Sequence, residues 1–411
     1  MSDDKKIDPR YAVVLGACLT QFTVIGLLFS YSLFFKTFET EFGWSRTTLS
    51  IAASLAFLMM GVLATPLGHL SDRFGPRPVL AATGLACGLG FALISQIAEP
   101  WHLFFIFGLF IGLGMSTHDV VTLSSVARWF DKRRGMMTGV VKSGTAAGQM
   151  LLPPAAAFLI AAFGWQTAAM VLGLGASLLL LTGAMLMRMP PAVVEPAAAS
   201  TSSADSRSSL MRNRVFWTLC TIQFLFLPSL TTVPLHIPVH GMDLGMSTAG
   251  AAGLLSVIAA ASVVGRLTIG AFADSIGGKR GFILCFVPLI AALISLLAID
   301  SPWLLFAAVA LYGFGHGGLF TIVAPTIAEF FGTRAHGAIF GAVVFFGTIG
   351  GAIGPILAGR MFDTTGSYAP AFMTLTGMAV LGLLLVLSLP RSSGAERSAS
   401  GPTTVPSESG S

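Results

Sequence analysis

The sequence predicts an all-α membrane protein of twelve transmembrane helices in two pseudo-symmetric six-helix bundles. Three observations carry this: a composition too apolar for a soluble domain, twelve apolar stretches of membrane-crossing length, and an internal repeat. Of 411 residues, 54% are hydrophobic and only 10% charged, against about 25% charged in an ordinary globular protein. That excludes a soluble enzyme, a disordered chain and a nucleic-acid binder. The net charge of +5, from 23 basic and 18 acidic residues, reports orientation in a bilayer rather than a polyanionic partner. The four cysteines (Cys18, Cys87, Cys220, Cys285) lie in apolar runs without metal-ligand spacing, so neither a disulfide framework, a metal site nor a cofactor is expected. Residues 1–10 are polar and lack the apolar core of a cleavable signal peptide.

Crossing about 30 Å of hydrocarbon takes roughly 20 apolar residues. Such stretches fall at 11–35, 47–70, 78–97, 102–126, 136–162 and 165–187, then at 214–237, 248–272, 281–299, 303–327, 337–360 and 368–389. The expected organisation is therefore an N-terminal bundle over 1–188, a cytoplasmic linker rich in Pro, Ala and Ser over 189–213, a C-terminal bundle over 214–389, and a Ser-rich disordered cytoplasmic tail over 390–411. With the N-terminus inside, eighteen of the 23 basic residues fall on the inner side and three (Lys36, Arg46, Arg360) on the outer, while Lys142 and Arg266 lie within spans. This asymmetry puts both termini in the cytoplasm. The expected setting is a cell membrane of the bacterial inner-membrane kind, with the lipid bilayer as surroundings and a single chain as the working unit.

The chain repeats itself at an offset of 202 residues. Cys18 and Gln21 meet Cys220 and Gln223, and Gly43 and Ser45 meet Gly245 and Ser247. Gly68, Asp72 and Gly75 meet Gly270, Asp274 and Gly277; Pro100 and Trp101 meet Pro302 and Trp303. Gly148, Pro153 and Gly164 meet Gly350, Pro355 and Gly366. The matched residues are mostly Gly, Pro, Trp and Asp, where backbone geometry or charge is demanding. Two halves in the same orientation place a site between them near the midplane.

The loop Gly68-His-Leu-Ser-Asp72-Arg73-Phe-Gly75-Pro-Arg77 and its copy Gly270-Ala-Phe-Ala-Asp274-Ser-Ile-Gly277-Gly-Lys279-Arg280 resemble the signature loop of the major facilitator superfamily. The resemblance implies that fold and a gate in which Asp72, Arg73 and Asp274 take part. Glycine there lets helices approach, and an Asp near a helix end can pair with a base or a helix N-terminus. The run from Arg128 through Gly135 to Gly148, with the Phe-Gly-Trp-Ser-Arg run at 42–46, resembles the monocarboxylate transporter and oxalate/formate antiporter branch. That resemblance implies that Arg266, in the eighth span, holds a substrate carboxylate. The acidic residue often found four positions earlier is Ser262 here. The lysine that animal members carry in the first span falls near Phe29, and the eleventh span, 337–359, contains no lysine.

Charges within the spans cost at least about 2.5–3.5 kcal/mol each, so each needs a partner or a task. Arg266 lies eight residues before Asp274, roughly 12 Å in from the loop. It either binds a carboxylate with its planar fork or snorkels to the interface. Asp119 and Lys142 lie at matching depths on antiparallel neighbours and are expected to face each other, either as a structural pair or as one that a proton or substrate loosens. His118 precedes Asp119 and can share its proton, although neighbours on a helix point about 100° apart. His316, near mid-membrane, is a proton carrier or a packed structural histidine. Its glycine-rich surroundings are not a nucleotide loop, since no strand precedes them. Pro228, Pro234 and Pro238 are expected to bend or end the seventh span.

Arg266 and Lys142 against Asp119 leave one positive charge, which suits one small organic monoanion. The expected function is secondary transport of a lactate- or pyruvate-like monocarboxylate with protons by alternating access. Arg266, His118, Lys142 and His316 would meet substrate, and Asp119, Lys142 and His118 would handle charge. Exchange of organic anions, or export of larger organic molecules, is the alternative. A membrane sensor ranks below these, and a membrane-embedded enzyme last, since no catalytic spacing stands out.

Overall fold

The computed structural model describes residues 8–130, 134–189, 212–299, 301–332 and 336–390. The expected linker, but for its edges, and the expected tail lie outside them. Among the described residues eleven helices are long and apolar enough to cross a membrane, and one of them, Met136–Leu186, is double length. In order they are α1 (Pro9–Phe42), α2 (Arg46–Phe74), α3 (Pro76–Gln96) and α4 (Pro100–Trp129). Arg134–Leu186 breaks at Gly164 into α5 (134–163) and α6 (165–186). Next come α7 (Arg214–Asp243) and the segment Thr248–Ser295, broken at Gly277 into α8 (248–276) and α9 (278–295). Then follow α10 (Pro302–Phe331), α11 (His336–Thr365) and α12 (Ala369–Ser388). Twelve crossings result. The end of the bundle where α1 starts and α12 finishes is called the terminal end below, and the opposite one the far end.

The 202-residue repeat is written into the backbone. Gly43 and Gly245 follow α1 and α7 at φ 67° and 88°, Gly75 and Gly277 separate α2/α3 and α8/α9 at 88° and 77°, and Gly164 and Gly366 close α5 and α11 at 80° and 70°. Only glycine adopts positive φ without steric penalty. Ser45 and Ser247 cap α2 and α8 by accepting from the N–H three residues on, and Pro100 and Pro302 open α4 and α10.

Packing repeats as well. A methyl group on Gly148 of α5 would stand 2.0 Å from the Phe22 carbonyl oxygen of α1, and one on Gly350 of α11 would stand 2.4 Å from that of Phe224 on α7. Gly139 and Gly341, an equally spaced pair, have nothing within 4 Å. Overpacking costs about 1–3 kcal/mol. Gly148→Ala and Gly350→Ala are thus expected to lower the melting temperature of the purified protein by a few degrees, while Gly139→Ala and Gly341→Ala leave it unchanged.

One expectation is narrowed and one corrected. Of bending or ending, the three prolines of α7 do not end the helix, which continues to Asp243. Gly350 and Gly354 bring α11 against the α7 backbone at Phe224 and Pro228, and a close neighbouring helix supports a span across missing backbone hydrogen bonds. Arg46, expected among loop charges, is the first residue of α2 and only 1% exposed, because four carboxylate and phenol groups converge on it.

Candidate substrate and ion-pair site

Asp119 sits at a break in the hydrogen-bond ladder of α4, between helical runs ending at His118 and starting at Val120. Earlier in the same span, residues 106–111 form wide π-type turns, a feature common near functional sites. Lys142 Nζ of α5 lies 2.5 Å from Asp119 Oδ1. Gln21 of α1 supports the break: its Nε2 donates to Asp119 Oδ1 at 2.7 Å and to the His118 carbonyl at 2.9 Å. The Thr145 hydroxyl in turn donates to Gln21 Oε1 at 2.9 Å, and the Thr122 hydroxyl donates to the His118 carbonyl. Three helices therefore fix one carboxylate. Asp119 is 39% and Lys142 31% exposed, so space reaches the pair although it lies several turns from either end.

His118 is turned away from that space. It is 3% exposed, with Nδ1 2.6 Å from the Met115 carbonyl and Nε2 3.7 Å from Asp119 Oδ1.

Across the interface, Arg266 of α8 is half-buried. Its Nε donates to Ser262 Oγ at 3.4 Å, and the guanidinium stands 5.6 Å from the centre of the half-exposed Phe320 ring. Ser262 Oγ also lies 3.2 Å from His316 Nδ1. Having accepted from Arg266, that hydroxyl has one proton to give, and the histidine nitrogen is placed to take it. His316 is 2% exposed and packs between Tyr312 and Phe320. Arg266 forms no ion pair with the described residues. The serine that replaces the expected acid thus ties arginine to histidine and leaves the terminal guanidinium nitrogens free of protein partners among the described residues.

At the terminal end Asp72 of α2 accepts from Arg128 of α4, and both are exposed. Arg73 is exposed, with its guanidinium 5.2 Å from the Phe74 ring. The Asp274 side chain lies outside the described residues. Glu329 of α10 accepts the Gly278 N–H at 2.7 Å, capping α9.

At the far end stands a cluster that reading the sequence missed. Arg46 donates to Glu39 of α1 (2.8 and 3.0 Å), to both carboxylate oxygens of Asp243 at the end of α7 (2.6 and 2.9 Å) and to the Tyr368 hydroxyl before α12 (2.9 Å). Its guanidinium also stacks 3.6 Å from the Phe362 ring centre. Lys36 donates to Glu39 and Asp243 at 2.9 and 2.7 Å. Asp363 of α11 accepts from the backbone N–H groups of Arg46 and Thr47, both at 2.9 Å. The signal available was the Arg46 position in the Phe-Gly-Trp-Ser-Arg run, together with acids at three span ends. Among the described residues, side-chain hydrogen bonds between α1–α6 and α7–α12 lie from this cluster inward to about mid-depth, the innermost joining Ser256 Oγ to the Met150 carbonyl.

Residues 17–280 and 254–408 match the model of the Major Facilitator Superfamily. The chain is 28% identical over 386 residues to monocarboxylate transporter 13 of Bos taurus, covering 92% of this chain and 89% of that one. It is 29% identical over 381 residues to monocarboxylate transporter 11 of Homo sapiens, covering 89% and 80%. Among solved structures, a bacterial homologue of the human lysosomal transporter Spinster, inward-facing and occupied, superposes with a TM-score of 0.70 at 15% identity over 93% and 96% of the two chains.

Proposed function

Because the chain belongs to the Major Facilitator Superfamily, and is therefore a multi-pass membrane transporter rather than an enzyme, we propose that it carries small monocarboxylates of the lactate and pyruvate kind together with a proton. The observation that carries this reading is the Arg266 guanidinium, held by Ser262 and Phe320 with no carboxylate in contact among the described residues. A guanidinium grips a carboxylate with two parallel hydrogen bonds. The names of the monocarboxylate transporter relatives support the same substrate class.

On this reading the terminal end faces the cytoplasm of a cell membrane, and 1–188 and 214–389 rock as bodies about a site near the midplane. The Arg46 cluster holds the far, outer end closed while the chamber opens inward. Asp72 with Arg128, Arg73 and Asp274 belong to the latch that closes the inner end in the opposite state. A proton reaching Asp119 releases Lys142, whose ammonium then adds to the field drawing the anion; His118 and His316 tune that field from either side. One chain suffices. A monoanion moving with one proton is electrically neutral, so the membrane potential does not oppose it.

Ser262 favours a second reading, exchange of organic anions without a proton, since a serine stands four residues before Arg266 where an acid was expected. Uptake into vesicles of purified protein, over a panel of mono- and dicarboxylates with and without an inward proton gradient, separates the two. Symport predicts accumulation of monocarboxylates that collapses with the gradient. Gradient-independent uptake that needs internal anion supports exchange, and uptake of no monocarboxylate overturns the substrate class.

A further inference from the structure

We propose that His236 of α7 is a proton-binding site of the outer gate, and that the proton it takes up from outside stabilises the opened gate. The proposal rests on the orientation and rocking described above, not on the identity of the solute.

His236 is fully buried one step below the Arg46 cluster, with the Phe35 and Tyr368 rings against it at 5.3 Å. The donors around it decide its protonation. Arg46 Nη1 donates to the Tyr368 hydroxyl at 2.9 Å, so that hydroxyl directs its single proton to His236 Nδ1, 2.9 Å away. On the other side, Nε2 faces the Pro355 carbonyl at 3.2 Å and Ser50 Oγ at 3.1 Å. Ser50 spends its own proton on the Arg46 carbonyl at 2.6 Å. Nε2 therefore carries the hydrogen and Nδ1 accepts. In the closed gate the ring is neutral: a second proton at Nδ1 would point two donors at Tyr368 and leave the tyrosine's own proton without its acceptor.

Opening reverses the balance. The charged and titratable groups around the ring are Lys36 and Glu39 on α1, Arg46 on α2, His240 and Asp243 on α7, Asp363 on α11, and Tyr368. When the halves part, Lys36, Glu39 and Arg46 leave together. The C-terminal half keeps Asp243 and Asp363, two carboxylates that lose the partners α1 and α2 had given them. Water then reaches His236, and one proton on it offsets one of those charges. A ligand that binds only the open state shifts the equilibrium toward it, so acid outside favours opening. The effect is absent well above the ordinary histidine range near pH 6.5 and approaches tenfold per pH unit below it.

The test needs no substrate. Spin labels at Thr40 on α1 and Ala249 on α8, both exposed at the far end, report gate opening in solute-free nanodiscs once the four native cysteines are replaced. Between pH 6.5 and 5.5 the ratio of long to short distances is expected to rise about fivefold, and to stay flat in His236→Gln, whose amide preserves the neutral contacts. His236→Asn serves as the second variant should the glutamine misfold. A pH response that persists in either folded variant, or a parent protein without one, overturns the proposal. Failure of the monocarboxylate reading shows instead as absent uptake with the distance response intact.

Discussion

Arg266→Lys is expected to lower uptake of a lactate-like monocarboxylate about 30-fold at low solute concentration, with the protein folded and expressed as before. Lysine keeps the charge but replaces a planar fork with a point donor on a flexible stem. The loss is one charge-assisted hydrogen bond of the pair that holds the carboxylate, about 2 kcal/mol, which corresponds to roughly 30-fold. The stem of Arg266 loses its bond to Ser262 Oγ as well, so the cation is no longer aimed. The same substitution at Arg46 offers no such comparison, because that guanidinium is saturated by Glu39, Asp243 and Tyr368. Measured uptake equal to the parent protein's would remove Arg266 from the site.

Asp119→Asn is expected to abolish accumulation driven by a proton gradient while leaving exchange of labelled for unlabelled solute at a substantial fraction of the parent rate. The amide retains an oxygen for Gln21 Nε2 and Lys142 Nζ, which the aspartate holds at 2.7 and 2.5 Å, but it takes up no proton. Gln21 and Thr145 keep the break in α4 in place, so the geometry survives the change. Both partners are about a third exposed, so breaking the pair costs about 1 kcal/mol rather than the 3–5 kcal/mol of a fully buried one. Proton-driven accumulation that survives in this variant would place the coupling proton elsewhere.

The twelve crossings were legible because each is a long apolar run, and the repeat was legible because its matched points include three glycine pairs that the backbone requires at positive φ and the serines and prolines that start equivalent helices. The facing of Asp119 and Lys142 was legible too. Depth along two antiparallel neighbours is simple counting, and a lone charge in a span needs a partner. Gln21 was visible only as the repeat partner of Gln223, and the repeat misleads there: Gln223 packs against Gly347, with neither Asp119 nor Lys142 matched in its half. Ser262 registered as a missing acid, whereas its hydroxyl joins Arg266 to His316. The Arg46 cluster escaped altogether. Its members lie near span ends, where single charges usually belong to water, and only the convergence of α1, α2, α7, α11 and Tyr368 makes them one network.

Titration calorimetry of the purified protein with a lactate-like acid and with its neutral amide tests the anchoring role of Arg266 most directly. Saturable binding of the acid is expected, with no heat from the amide and an acid affinity about 30-fold weaker in Arg266→Lys. Acid and amide binding alike, or acid binding unchanged in the lysine variant, would contradict the account.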